Sequence, residues 1–148
     1  MSRDAMISAI RDDACLHIAT HIEWIDTDFG ASPALELAAG ELLTVTDLPT
    51  NFGARELVVL AGCESAGGRM LDGEGALGFS RAFLSSGTRG VVATLWPVKD
   101  TAAERFGGAL HESLIAQGSP SVAVREAAQR LRESGEPDWA AFQLLGRD

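Results

Sequence analysis

Apolar residues recur along this chain in two rhythms, one helical and one strand-like. In "AMISAIRDDA" (5–14), Met6, Ile7, Ile10 and Ala14 fall at helical spacing, and "CLHIATH" (15–21) follows as a short apolar run with the length and β-branching of a strand. "PALELAAGELLTV" (33–45) alternates on either side of Ala39-Gly40, the pattern of a hairpin, and "ELVVLAGC" (56–63) reads as a second, fully buried strand. Leu77, Ser80, Phe83 and Leu84 mark one helix face, Gly87 stands where a left-handed cap ends it, and "RGVVATLW" (89–96) is the next strand.

The C-terminal third is helical. Asp100 is placed to cap a helix whose apolar positions are Ala103, Phe106, Leu110 and Leu114, with Gly118 as its stop. Ser119 then caps another, with Pro120 at its first position and Val124, Ala127, Ala128 and Leu131 on one face. "DWAAFQLLG" (138–146) closes as a strand. Strands separated by helical segments predict the α/β class, a mainly parallel sheet with helices on both faces.

Composition narrows the function. At 148 residues the chain is one domain by size, and 46% hydrophobic with 22% charged residues is the mix of a globular protein. No apolar run approaches the roughly 18 to 20 residues of a membrane helix, and the acids in "MSRDAMISAIRDDA" leave no apolar core for a secretory signal. The expected location is cytoplasmic. A net charge of −9 argues against nucleic acid or an anionic membrane as partner. The bias to arginine, with Lys99 the only lysine, suggests a GC-rich bacterial genome.

In an open parallel sheet, ligands bind beyond the carboxyl ends of the strands. That rule singles out "ATHIEW", "AGCESAGG" and "TLWPVKD". His21 ends the first predicted strand and Cys63 the second; if these strands are neighbours, about 4.8 Å apart, imidazole and thiol emerge on one edge as a base and a candidate nucleophile. The plainer readings are a buried thiol and a hydrogen-bonded core histidine. A zinc site on Cys15, His17, His21 and Cys63 is disfavoured, because residues 15 and 21 of one strand lie roughly 20 Å apart at about 3.3 Å per residue.

Two further motifs lead elsewhere. Gly73-Glu74-Gly75-Ala76-Leu77-Gly78 matches GxGxxG, with Asp100 downstream, and offers a nucleotide-binding alternative. Its first glycine does not follow a strand directly, and Asp72 and Glu74 would repel a pyrophosphate. Cys63 is no hydrolase nucleophile elbow, since Ala61 and Ser65 stand where that turn needs glycines.

"LHIATH", "LLTVTDL", "ELVVLAGCESAGG", "GEGALGFSRAFLSSGTRGVVATLWPVKD" and "DWAAFQLLG" together resemble the CHAT domain, the caspase-like and separase-like peptidase module often found beside tetratricopeptide repeats. The resemblance runs from about Asp4 to Gly146. It implies a caspase-like fold and a cysteine endopeptidase with a His21/Cys63 dyad, no metal and no cofactor. Backbone N–H groups of Cys63 and of Ile22 would serve the oxyanion, and the segment with Trp96, Pro97, Val98 and Asp100 would border the pocket for the residue before the cut. Glu64, Glu23, Asp26 and Asp28 add acids around that mouth, which suggests a basic residue there.

The chain departs from the family pattern twice. Relatives usually carry glycine directly after the histidine, where this chain has Ile22, and the family module normally begins with a further strand and helices before "AMISAIRDD". That leaves a sheet edge to be covered by a partner chain, by more of the same chain or by self-association. A catalytically silent interaction or regulatory module, with a tetratricopeptide-repeat or sensor protein as its partner, is the competing function.

Overall fold

A computed structural model describes residues 1–12, 15–28, 30–48, 55–61 and 74–147. Among the described residues four helices and seven strands follow in the order α1 (Arg3–Asp12), β1 (Cys15–Ile18), β2 (Ile22–Thr27), β3 (Gly30–Glu36), β4 (Leu42–Thr44), β5 (Arg55–Leu60), α2 (Glu74–Ser85), β6 (Thr88–Thr94), α3 (Asp100–Gln117), α4 (Pro120–Glu133) and β7 (Phe142–Gly146). The larger sheet has the order β1-β5-β6-β7; β1, β5 and β6 are parallel and β7 runs antiparallel to β6. The smaller sheet is the antiparallel meander β2-β3-β4.

Alternation along the strands assigns the two faces of the larger sheet. Leu16, Ile18, Val58, Leu60, Val91 and Ala93 point to one face, where they meet Met6 and Ile10 of α1, Phe79 and Phe83 of α2, and Ile22, Leu35 and Leu43 of the small sheet. Leu57, Val59 and Val92 point to the other, against Phe106 and Leu110 of α3 and Val124, Ala127 and Leu131 of α4. Phe106 stacks on Phe142 of β7 with ring centres 3.8 Å apart and planes 5° from parallel. The sheet is therefore covered by helices on both faces, as the α/β pattern predicts, in a caspase-like arrangement. Burying each fully enclosed aromatic or aliphatic side chain contributes about 1.5 to 3 kcal/mol.

The helix signals in the C-terminal third act as expected. Gly118 takes φ +71° at the end of α3, and the Ser119 hydroxyl accepts the Val122 N–H at 3.4 Å at the start of α4. Asp100, however, is the first residue of α3 and not its cap; Lys99 occupies that position, without a side-chain hydrogen bond to the helix. A carboxylate in the first turn still complements the helix dipole.

Three other boundaries differ from the sequence expectation. The first strand stops at Ile18, short of His21, and residues 22–27 form β2, which was not expected. The final strand begins at Phe142, because Pro137–Ala140 form a 3-10 turn. Both strand edges of the larger sheet are distinct: among the described residues β1 pairs with β5 alone and β7 with β6 alone. Among the described residues, no helix is long and apolar enough to cross a membrane.

Candidate active site

The parallel pairing of β1 with β5 brings their carboxyl ends together, running from Cys15 opposite Leu57 to Ile18 opposite Leu60. One residue further, the Ala61 N–H donates to the Ile18 carbonyl at 2.9 Å. The expectation that these two strands are neighbours is met.

Beyond Ile18 the chain leaves the larger sheet for the smaller one. The Thr20 hydroxyl donates to the Glu36 carbonyl, and the Glu36 N–H donates to the His21 carbonyl at 2.9 Å. Main chain that would otherwise need water is thus tied to the end of β3, and the His21 side chain is left exposed. Ile22 follows directly as the first residue of β2, opposite Leu35 of β3, with its side chain 2% exposed in the core. Its φ is negative: Ala39 is the only non-glycine with positive φ among the described residues.

A cleft of about 470 Å³ opens where these strands end. His17, Ala19, Thr20, His21 and Ala61 form its sheet side. Asp100, Ala103, Glu104, Gly107, Gly108 and His111 of α3 form the other. On α3 the positions 100, 104, 107, 108 and 111 recur at helical spacing and make a small or polar stripe beside the apolar one at Phe106 and Leu110. The two glycines keep this wall low.

Within the cleft, His17 Nδ1 and His111 Nε2 are 2.7 Å apart, joining β1 to α3. A Cβ on Gly107 would stand 3.2 Å from His17 Cε1, so the missing side chain gives the ring its place. Desolvation where the ring meets α3, and next the facing His111, hold the His17 pKa below its usual 6.5. Both effects act against the imidazolium form.

Of the residues singled out in the sequence, His21 and Asp100 line this cleft together. Trp96, Pro97 and Val98 are not among its lining residues. Val98 is buried beside Phe106 in the core, and Trp96 packs on the same cluster while its indole N–H donates to Asp138 at 3.2 Å. Glu23 and Asp26 lie on β2 and Asp28 on the turn after it. Cys63 and Glu64 lie outside the described residues, as does Gly73 of the glycine motif; Gly75 and Gly78 fall inside α2. Among the described residues, no group of three His, Cys, Asp or Glu side chains is arranged to hold a metal ion.

His111 and Glu104 were not found by sequence reasoning, and His17 was weighed only as a metal ligand. Their signal in the sequence is the spacing of Glu104, Gly107, Gly108 and His111, a small or polar stripe beside the apolar face of the same helix.

Comparison with known proteins places the chain. It is 26% identical over 191 residues to tetratricopeptide repeat protein 28 of Mus musculus, and 26% identical over 187 residues to the protein of the same name from Homo sapiens. Each alignment takes in 99% of this chain and 8% of the relative, so the chain spans only a small part of their length. The CHAT domain model matches residues 1–147, and the chain accordingly belongs to the CHAT domain family.

Proposed function

We propose that the chain is a cysteine endopeptidase module in which His21 and Cys63 form the dyad. One observation carries the reading: His21 and Ala61, the last described residue before Cys63, border the same cleft at the carboxyl edge of the parallel sheet. This is where α/β sheets place their ligands, and membership of a caspase-like family supports the chemistry.

In this mechanism the Cys63 thiolate attacks the substrate carbonyl carbon, and the carbonyl electron pair moves to oxygen. Backbone N–H groups of Cys63 and of Ile22, which follows His21, stabilise the oxyanion. As the tetrahedral species collapses, the C–N bond breaks and His21 gives its proton to the leaving amine. Water, deprotonated by His21, then hydrolyses the thioester and restores the thiol. Asp100 and Glu104, four residues apart on α3 and both on the cleft, support a preference for arginine or lysine before the cut.

A second reading is a silent interaction or regulatory module, and a specific observation favours it: Ile22 replaces the usual glycine and is committed to β2 and to the core. Its partners would include a tetratricopeptide-repeat protein, in line with the names of the relatives. A panel of fluorogenic peptides separates the two. The peptidase reading expects turnover that is fastest after arginine or lysine and is abolished by Cys63→Ala; turnover equal in wild type and Cys63→Ala sinks it.

A further inference from the structure

The cleft contains a feature that peptide cleavage does not use, the imidazole pair of His17 and His111. Its nitrogens are 2.7 Å apart and its ring centres 4.9 Å apart, and the excess of the second distance over the first is about two imidazole radii. Both nitrogens therefore lie close to the line joining the rings, with their lone-pair directions opposed. A proton fits between them. A bridging metal ion does not, since it would need about 2.0 to 2.1 Å to each nitrogen.

Such a pair has three protonation states. When both rings are neutral, one N–H donates to the other nitrogen. When one ring is cationic, the hydrogen bond persists and becomes charge-assisted. When both are cationic, each nitrogen carries a proton, neither accepts, and two like charges face each other at contact distance. Only the last state breaks the link.

Charged and titratable groups surround the pair without separating its rings. Asp100 and Glu104 share the cleft from α3, and His21 shares it from beyond β1. Cys15 is exposed on the same face of β1, two residues before His17. Glu36 at the end of β3 and the Met1 end of the chain line a second hollow that His17 also borders. None stands between the two rings.

We propose that His17 and His111 form a pH-operated latch that ties the edge strand β1, and with it the exit to His21, to α3, and that opens when the pair takes its second proton. The fold gives the latch leverage. Among the described residues β1 is hydrogen-bonded to a strand on one side only, and His21 is three residues from its end. The low proton affinity of His17 fits an opening below neutral pH.

The test is independent of cleavage. Imidazole ¹⁵N shifts of the whole chain, recorded from pH 8 to 4.5, should show His17 and His111 titrating as one coupled system in two steps. Amide exchange in residues 16–18, corrected for its intrinsic pH dependence, should rise about tenfold per pH unit as pH falls from the upper step toward the lower one and level off below it, and α4 should not follow. His111→Gln, which keeps a polar partner without a titrating one, should abolish that rise; His17→Gln serves if the first variant does not fold. Independent titration of the two rings, or an unchanged rise in either folded variant, overturns the latch. Either result leaves the peptidase reading to be judged by peptide turnover.

Discussion

The N–H of Ala61 donates to the carbonyl of Ile18 at 2.9 Å, extending the β1–β5 pairing one residue past the end of β5. His21 follows Ile18 by three residues and Cys63 follows Ala61 by two. The two strand exits thus leave the sheet side by side, and this step is what brings His21 and Ala61 to the one cleft on which the dyad proposal rests.

Ile22 should be structural whatever its backbone contributes to catalysis. Ile22→Gly removes a fully buried side chain and loosens a strand, and it should cost about 3 to 5 kcal/mol. Urea unfolding reads this as a lower midpoint with an unchanged slope. A midpoint within experimental error of wild type would contradict the placement of Ile22 in the core.

The two glycines of α3 should respond differently. Gly108 is exposed and a Cβ there meets nothing within 4 Å, so Gly108→Ala should stabilise the protein by up to about 1 kcal/mol through helix propensity. Gly107→Ala gains the same propensity but presses on His17. It should show a smaller gain or a loss, and a shift of the His17 ring resonances that Gly108→Ala does not produce.

Stability should fall in mild acid through His17. Its folded pKa is lowered, first by burial and then by His111, so the unfolded chain takes up a proton near pH 6.5 that the folded one declines. Its contribution is fully present above pH 6.5, is lost as pH falls toward the native value, and stops changing below it. Urea midpoints at pH 8, 6.5 and 5.5 check this, and His17→Gln should flatten part of the decline.

If Asp100 and Glu104 select a basic side chain, neutralising them should change preference more than rate. Asp100→Asn with Glu104→Gln is expected to lower kcat/KM for arginine peptides at least tenfold, about 1.4 kcal/mol, relative to leucine peptides. Equal losses on both peptides would assign these carboxylates another role.

Much of the fold was legible because local chemistry and burial agree. Gly118, Ser119 and Pro120 punctuate α3 and α4, and the run from Leu57 to Leu60 has the apolar continuity of a strand covered on both faces. The sequence misled where the chain changes sheets. "LHIATH" continues as an apolar run past Ile18, but Thr20 and His21 bond to Glu36, a partner distant in sequence, and this ends the strand. β2 was hidden because Glu23 and Asp26 break its apolar pattern, while its order comes from pairing with β3. In the site, His21 and Asp100 were found at element ends. His17 and His111 were not seen as a pair, since only the packing of β1 beside α3 makes them neighbours.

The central claim is tested most directly by labelling the whole chain with a peptidyl acyloxymethyl ketone and locating the adduct by mass spectrometry. A thiol matched to a base reacts well above a free cysteine of pKa about 8.5. The dyad predicts modification at Cys63, in preference to the exposed Cys15, that disappears in His21→Ala. Equal labelling of Cys15 and Cys63, or labelling of Cys63 that survives His21→Ala, would contradict it.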